Sequence, residues 1–113
     1  SIRKIRRNNA NFLIDAVKKI SHKYNIQLLY DHLGDEDCPL FVPILVDEKR
    51  RNEIRYKLIE KGIYCPVHWP IDVKYPYIET AYHKREISLI CDQRYDVEAM
   101  NREVLILLEA LSC

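Results

Sequence analysis

The chain has 113 residues, 48% of them apolar, with 18 Lys and Arg against 17 Asp and Glu. That length fills one hydrophobic core but not two, so residues 1–113 are expected to form a single domain. Interspersed charge leaves no broad basic face for a phosphate backbone, which argues against nucleic acid as a partner. No apolar run approaches the roughly 20 residues that cross a bilayer and no signal-peptide pattern opens the chain, so the expectation is a cytoplasmic protein without a membrane partner.

Between Ile2 and about Tyr24, Phe12, Leu13, Ala16, Val17 and Ile20 recur at helical spacing and predict a first helix with one apolar stripe. Its start is unusual. Arg3, Lys4, Arg6 and Arg7 crowd the positive end of the helix dipole, and only Ser1 is available as a cap. With no initiator Met, this leads to the expectation that the chain is the tail of a longer polypeptide, cut within a connecting helix. The alternative is a frayed, solvated basic start.

IQLLYD at 26–31 predicts a strand, GDEDCP a turn, and LFVPILV at 40–46 a second strand. Pro43 cannot donate to a ladder and is expected at a sheet edge or bulge. Asp47 is expected to cap a helix reaching Lys61, with Ile54, Leu58 and Ile59 facing the core and Gly62 ending it in a left-handed conformation. IYCPV at 63–67 predicts a third strand. From Ile71 to about Arg85, with Tyr75, Pro76, Tyr77 and Tyr82, there is no period, the mark of a functional or partly disordered connection. EISLIC at 86–91 predicts a fourth strand and DQRY a turn. Asp96 then caps a last helix that turns Val97, Met100, Val104, Leu107, Leu108 and Leu111 inward. The order α-β-β-α-β-β-α predicts an α+β two-layer sandwich: a mainly antiparallel four-stranded sheet with helices packed on one face.

The stretch GIYCPVHWP at 62–70 does not read as plain core or surface. Pro66 and Pro70 stiffen an extended exit from the third strand, so His68 and Trp69 are held for contact. His68 can donate to a phosphate or carboxylate or relay a proton, and Trp69 can stack on a ring. The opposing reading has Trp69 sealing the core and His68 bonded to backbone. Arg94 can clamp a carboxylate through its forked guanidinium, or pair within its turn with Asp92. Cys38, Cys65, Cys91 and Cys113 form no C-x-x-C pair and read as free thiols; Cys65, His68, His83 and Cys91 lack the spacing of a zinc site. Gly34 and Gly62 alone build no phosphate loop. His22 and His32 read as solvated, and Ser21, Ser88 and Ser112 lack the elbow that activates a nucleophile.

Taken in order, RRNNANFLIDAV, LFVPILV, KGIYCPVHWP and SLICDQRY resemble the C-terminal small domain of the DegT/DnrJ-type sugar aminotransferases, pyridoxal-phosphate enzymes of fold type I. The resemblance spans nearly the whole chain, and its most specific parts are residues 62–70 and 88–95. It implies a large domain of the same parent chain that carries the Schiff-base lysine, the aspartate at the pyridinium nitrogen and the phosphate cup. Pyridoxal phosphate would be held by that full-length parent and not by this chain alone; Lys84 after His83 lies in the small-domain region. It further implies a homodimer, a sugar or nucleotide-sugar substrate with glutamate as amino donor, and a small domain that covers the active site. His68 would reach toward substrate or cofactor, beside Trp69; Arg94, on the carboxylate-clamping chemistry of its own guanidinium, is taken as a further substrate-binding residue. Two departures stand out: Ile90 replaces the proline common after Ser-Leu, and residues 71–85 match poorly. A reading from a different class is a non-catalytic ligand-binding or protein-interaction module, with His68, Trp69 and the tyrosine-rich loop as its surface.

Overall fold

The computed structural model describes residues 1–66 and 84–112. In chain order these form α1 (Ile2–Tyr24), β1 (Gln27–Leu28), β2 (Phe41–Leu45), α2 (Arg51–Glu60), β3 (Glu86–Ile90) and α3 (Val97–Ser112). The sheet runs β1-β2-β3 with both pairings antiparallel. The α+β class is as predicted, and the described sheet has three strands rather than four.

The basic start of α1 is neither frayed nor idle. Ser1 Oγ accepts from Lys4 N at 3.2 Å, and the helix is regular from Ile2. Arg7 Nη1 donates to the carbonyls of Gly34 and Asp37, both at 2.7 Å, and Arg3 donates to the Asp35 carbonyl. Arg6 Nε donates to Gln93 Oε1 at 2.7 Å. Cations at the positive end of the dipole are unfavourable in isolation; here charge-assisted bonds to loop oxygens offset that term. The helix ends at Asn25, a left-handed residue with φ 52° whose N–H donates to Ser21 O.

Pro43 explains why β1 is so short. Leu29 N donates to Pro43 O, so the proline's backbone faces the β1 side, where its nitrogen has no hydrogen to give. The β1–β2 register therefore holds only Gln27 opposite Leu45 and Leu28 opposite Ile44, where a strand over 26–31 was expected. On the other side β2 pairs along its whole length with β3, from Phe41 opposite Ile90 to Leu45 opposite Glu86. Pro43 thus lies inside the sheet, on the flank where pairing stops, rather than on an outer edge.

Asp47 does not cap α2. Its Oδ1 accepts from Lys49 N at 3.0 Å and its carbonyl from Arg50 N at 3.0 Å, a turn that places the helix start at Arg51. Gly62 does end the helix, at φ 84°, with Ile63 N bonded to Leu58 O and Gly62 N to Ile59 O, both at 2.9 Å. Only Ile54 and Leu58 face inward; Ile59, one step round the helix, is exposed. In α3 the Asp96 cap forms as predicted, Oδ1 accepting from Ala99 N at 2.9 Å. Met100, Val104, Leu107 and Leu111 are buried, whereas Val97 is exposed and Leu108 half-buried. The two helices cap each other: Arg50 donates to the carbonyls of Ala110 and Leu111, and Arg102 to the Lys61 carbonyl.

Along β2 buried Val42 and Ile44 alternate with half-buried Phe41 and Pro43, so the helices cover one face. Val42, Ile44, Ile87 and Leu89 share one core with Leu13, Ile14, Val17, Ile54, Leu58, Met100 and Leu107. Among the described residues no helix is long and apolar enough to cross a membrane.

Candidate functional site

Among the described residues, the predicted third strand reaches the sheet through one backbone bond. Ile63–Pro66 lacks regular strand structure, yet Pro66 O accepts from Ser88 N at 3.1 Å on the outer side of β3. Arg55 Nε fixes the preceding carbonyl, that of Cys65, at 2.9 Å. Residue 67, which completes that predicted strand, lies outside the described residues. One step further along the same side of β3, Ile90 N donates to the buried Glu103 carboxyl at 2.9 Å. That side chain occupies the ladder position that an extension of the predicted third strand along β3 would need. The two stretches that carry the sequence resemblance, 62–66 and 88–95, thus meet at Pro66 and Ser88. His68, Trp69, His83 and the tyrosines of the 71–85 connection lie outside the described residues.

Arg94 is described fully. The chain leaves β3 at Cys91 and closes a turn through Tyr95 N to Asp92 O at 3.2 Å. Asp92 is buried and its carboxylate accepts from three donors of Arg94: the backbone N at 2.9 Å, Nε shared between the two oxygens at 3.2 and 3.1 Å, and Nη2 at 2.6 Å. Of the two sequence readings for Arg94, the turn ion pair is therefore present. It holds the Asp92 carboxyl below the usual carboxylate range and raises the arginine in turn. The pair also fixes a direction. Arg94 is 68% exposed, its guanidinium lies 5.8 Å from the Tyr95 ring centre, and its Nη1 side makes no bond among the described residues. It lines an open cleft of about 340 Å³ with Ile5, Gln93, Tyr95, Asp96 and Ala99.

Two residues hold this turn: Asn9, which sequence reasoning passed over, and Arg6, which it noted only as part of the basic helix start. Asn9, 1% exposed, donates Nδ2 to the carbonyls of Cys91, Asp92 and Tyr95 at 3.3, 3.2 and 2.9 Å, and Arg6 takes the Gln93 side chain. The signal was available: Asn9 precedes Leu13 and Val17 at four-residue steps, so it is a polar residue in phase with the core. Glu103, three after Met100 and four before Leu107, carries the same signal in α3.

The remaining chemistry is structural. Cys65 Sγ donates to the Arg55 carbonyl and Cys91 Sγ to the Pro39 carbonyl, and burial pushes these thiols up to about 11 and about 12. Among the described residues no three His, Cys, Asp or Glu gather as metal ligands. The described lysines are exposed or half-buried, Lys57 against Glu53 at 3.0 Å, and none sits in the desolvated pocket a Schiff-base amine requires. Gly62 serves a helix end and Gly34 N is bonded to Asp37 Oδ2, so neither glycine cradles a phosphate. The described residues do not fit pyridoxal phosphate.

These elements define a two-layer α+β domain with its helices on one side of an antiparallel sheet. Within that class the chain is similar to part of several solved enzymes. NtdA from Bacillus subtilis, with bound cofactor PMP, superposes on 93% of this chain at TM-score 0.71 and 22% identity. PseC from Helicobacter pylori, an aminotransferase involved in the biosynthesis of pseudoaminic acid, superposes on 88% at TM-score 0.62 and 19% identity. Spr1654 from Streptococcus pneumoniae, described as a candidate sugar aminotransferase and solved in its PMP form, gives the same coverage, TM-score and identity. The chain spans 28–33% of the length of these proteins. No family model matches the sequence, and no curated protein matches it closely enough to count as a relative.

Proposed function

We propose that this chain is the C-terminal small domain of a pyridoxal-phosphate-dependent sugar aminotransferase of the DegT/DnrJ type. The observation that carries the reading is the structural match over 93% of the chain to an enzyme with bound PMP, reached from a sequence whose motif segments already pointed there. The cofactor, when bound, supplies the electron sink for amino transfer, and a large domain of the same parent holds it. This domain covers the active site and contributes to a cytoplasmic homodimer; it does not transaminate in isolation. His68 and Trp69 contact a sugar or nucleotide-sugar substrate. Arg94, aimed by Asp92 and with its Nη1 side unbonded among the described residues, binds a carboxylate of the donor glutamate.

The test compares this chain alone with the product of its full coding region. After incubation with pyridoxal phosphate and borohydride, peptide mapping should find a modified lysine in the parent, outside residues 1–113, and no single modified lysine in the isolated chain. Specific trapping at a lysine within 1–113 overturns the division of labour, and an upstream stop codon with no large domain removes the enzymatic reading. In the parent, His68→Ala should lower turnover at least about tenfold while the fold survives. Unchanged turnover would reduce His68 to a packing residue.

A further inference from the structure

Turn 92–95 is gripped from one side by α1, and the grip leaves a single residue out. Asn9 binds the carbonyls of Cys91, Asp92 and Tyr95, and Arg6, one helical turn earlier, binds the side chain of Gln93. Arg94 alone has no bond to α1, and its guanidinium is instead steered by Asp92 toward the open cleft. We infer that Asn9 is a positioning residue for Arg94: it sets where the guanidinium meets the donor carboxylate, without touching that carboxylate itself. This inference rests on the aminotransferase reading above.

Three carbonyls at the end of β3 converge on one buried point, and buried carbonyls without donors are strongly disfavoured. An Asn side chain meets that need with a planar amide, and three acceptors around one atom fix which end of the amide faces them. Asp at this position would set acceptor against acceptor; Ala would leave the carbonyls to solvent or to each other. In either case residues 91, 92 and 95 relax, and Arg94 moves with them. A displacement of about 1 Å in a positioning group is enough to weaken bidentate recognition by an order of magnitude or more.

The experiment uses the full parent, loaded with pyridoxal phosphate, and a double-mutant cycle of Asn9→Ala and Arg94→Gln. The probe is glutarate, a dicarboxylate with no amino group to transfer, titrated by calorimetry, with the glutamate half-reaction followed in parallel. Each single variant should weaken glutarate about tenfold with cofactor affinity within about twofold of wild type, and the double variant should be no weaker than Arg94→Gln alone. Additive losses, or a loss of cofactor affinity equal to that of glutarate, would make Asn9 a general structural residue and overturn the inference. If Asn9→Ala does not fold, Arg6→Met keeps the apolar stem, removes the Gln93 bond and should weaken glutarate about threefold; an unchanged value overturns the proposal. Should the wild-type parent not accept an amino group from glutamate at all, the aminotransferase reading fails first, and that outcome is distinct from an active parent with an additive cycle.

Discussion

Asn9 and Glu103 perform mirror-image tasks at the same end of β3. Each is 1% exposed, each stands in phase with the apolar stripe of its helix, and each satisfies backbone that the sheet leaves unpaired. Asn9 on α1 is a donor to three carbonyls; Glu103 on α3 is an acceptor for Ile90 N. The chemical difference is that an amide never titrates and a carboxyl does. Burial pushes Glu103 up to about 8, against the partial opposition of the Ile90 bond. The hold of Asn9 on the turn that presents Arg94 is therefore independent of pH, whereas the outer side of β3 depends on a group that changes charge near neutrality.

The largest expected effect breaks that comparison at Glu103. An acid whose folded value lies above its unfolded one holds its proton longer in the native state, so its contribution is complete below the unfolded value and is lost as pH rises toward about 8. Urea unfolding of the wild-type chain should show a loss of roughly 3 kcal/mol between pH 5 and pH 8 from this group. Glu103→Gln should flatten that slope, because Oε1 still accepts from Ile90 N and no charge can form. The nearby thiols Cys65 and Cys91 stay protonated in the native state, and because unfolded thiols titrate only at about 8.5 they add no more than a few tenths of a kcal/mol at the top of this window, equally in both proteins. Equal slopes for the two proteins would show that Glu103 is already ionised and solvated in the native state.

Next in size is Asn9→Ala, expected to lower stability by roughly 2 kcal/mol, by the same amount at pH 5 and pH 8. The sharper readout is local. Amide exchange at Tyr95, whose N–H closes the turn onto Asp92 O, should speed up more than at Leu89 in the middle of β3. A uniform acceleration would mean that Asn9 supports the whole fold rather than the turn.

Much of this framework was legible because the apolar phase is strong where elements are long. The ranges of α1 and α3, the Asp96 cap and the left-handed Gly62 follow from local chemistry that no tertiary contact overrides. What escaped depended on partners remote in sequence. Pairing beyond Leu28 stops because Pro43, fifteen residues on, lacks a hydrogen, and the four arginine and lysine side chains at the start of α1 looked misplaced until the loop carbonyls of 34–37 supplied acceptors for two of them. Asp47 was misread because an Asx turn and a helix cap share the same residue preference. At the turn, the Arg94–Asp92 ion pair was one of the two readings the sequence offered and it is present, whereas Asn9 was passed over. Its acceptors lie more than 80 positions away, and only the fold brings them within reach.

The smallest effect should come from Asp92, and it has the opposite sign with pH from Glu103. Arg94 holds the Asp92 carboxyl below its unfolded value, so the native state gives up this proton more readily. Its contribution is present above the ordinary carboxylate range and disappears as pH falls through the lowered folded value, well away from the window in which Glu103 acts. Because the arginine partner is 68% exposed, solvent screens the pair. Asp92→Asn should therefore lower Tm by only about 2 °C at pH 7, and the difference from wild type should vanish once the pH falls below the lowered carboxyl range. The functional consequence should outweigh the thermal one, since the variant frees the guanidinium that Asp92 now steers: glutarate binding by the parent should weaken several-fold at a stability almost unchanged. A large Tm loss with intact glutarate affinity would instead make the Asp92–Arg94 pair a fastening of the turn and would remove Arg94 from the substrate side of the molecule.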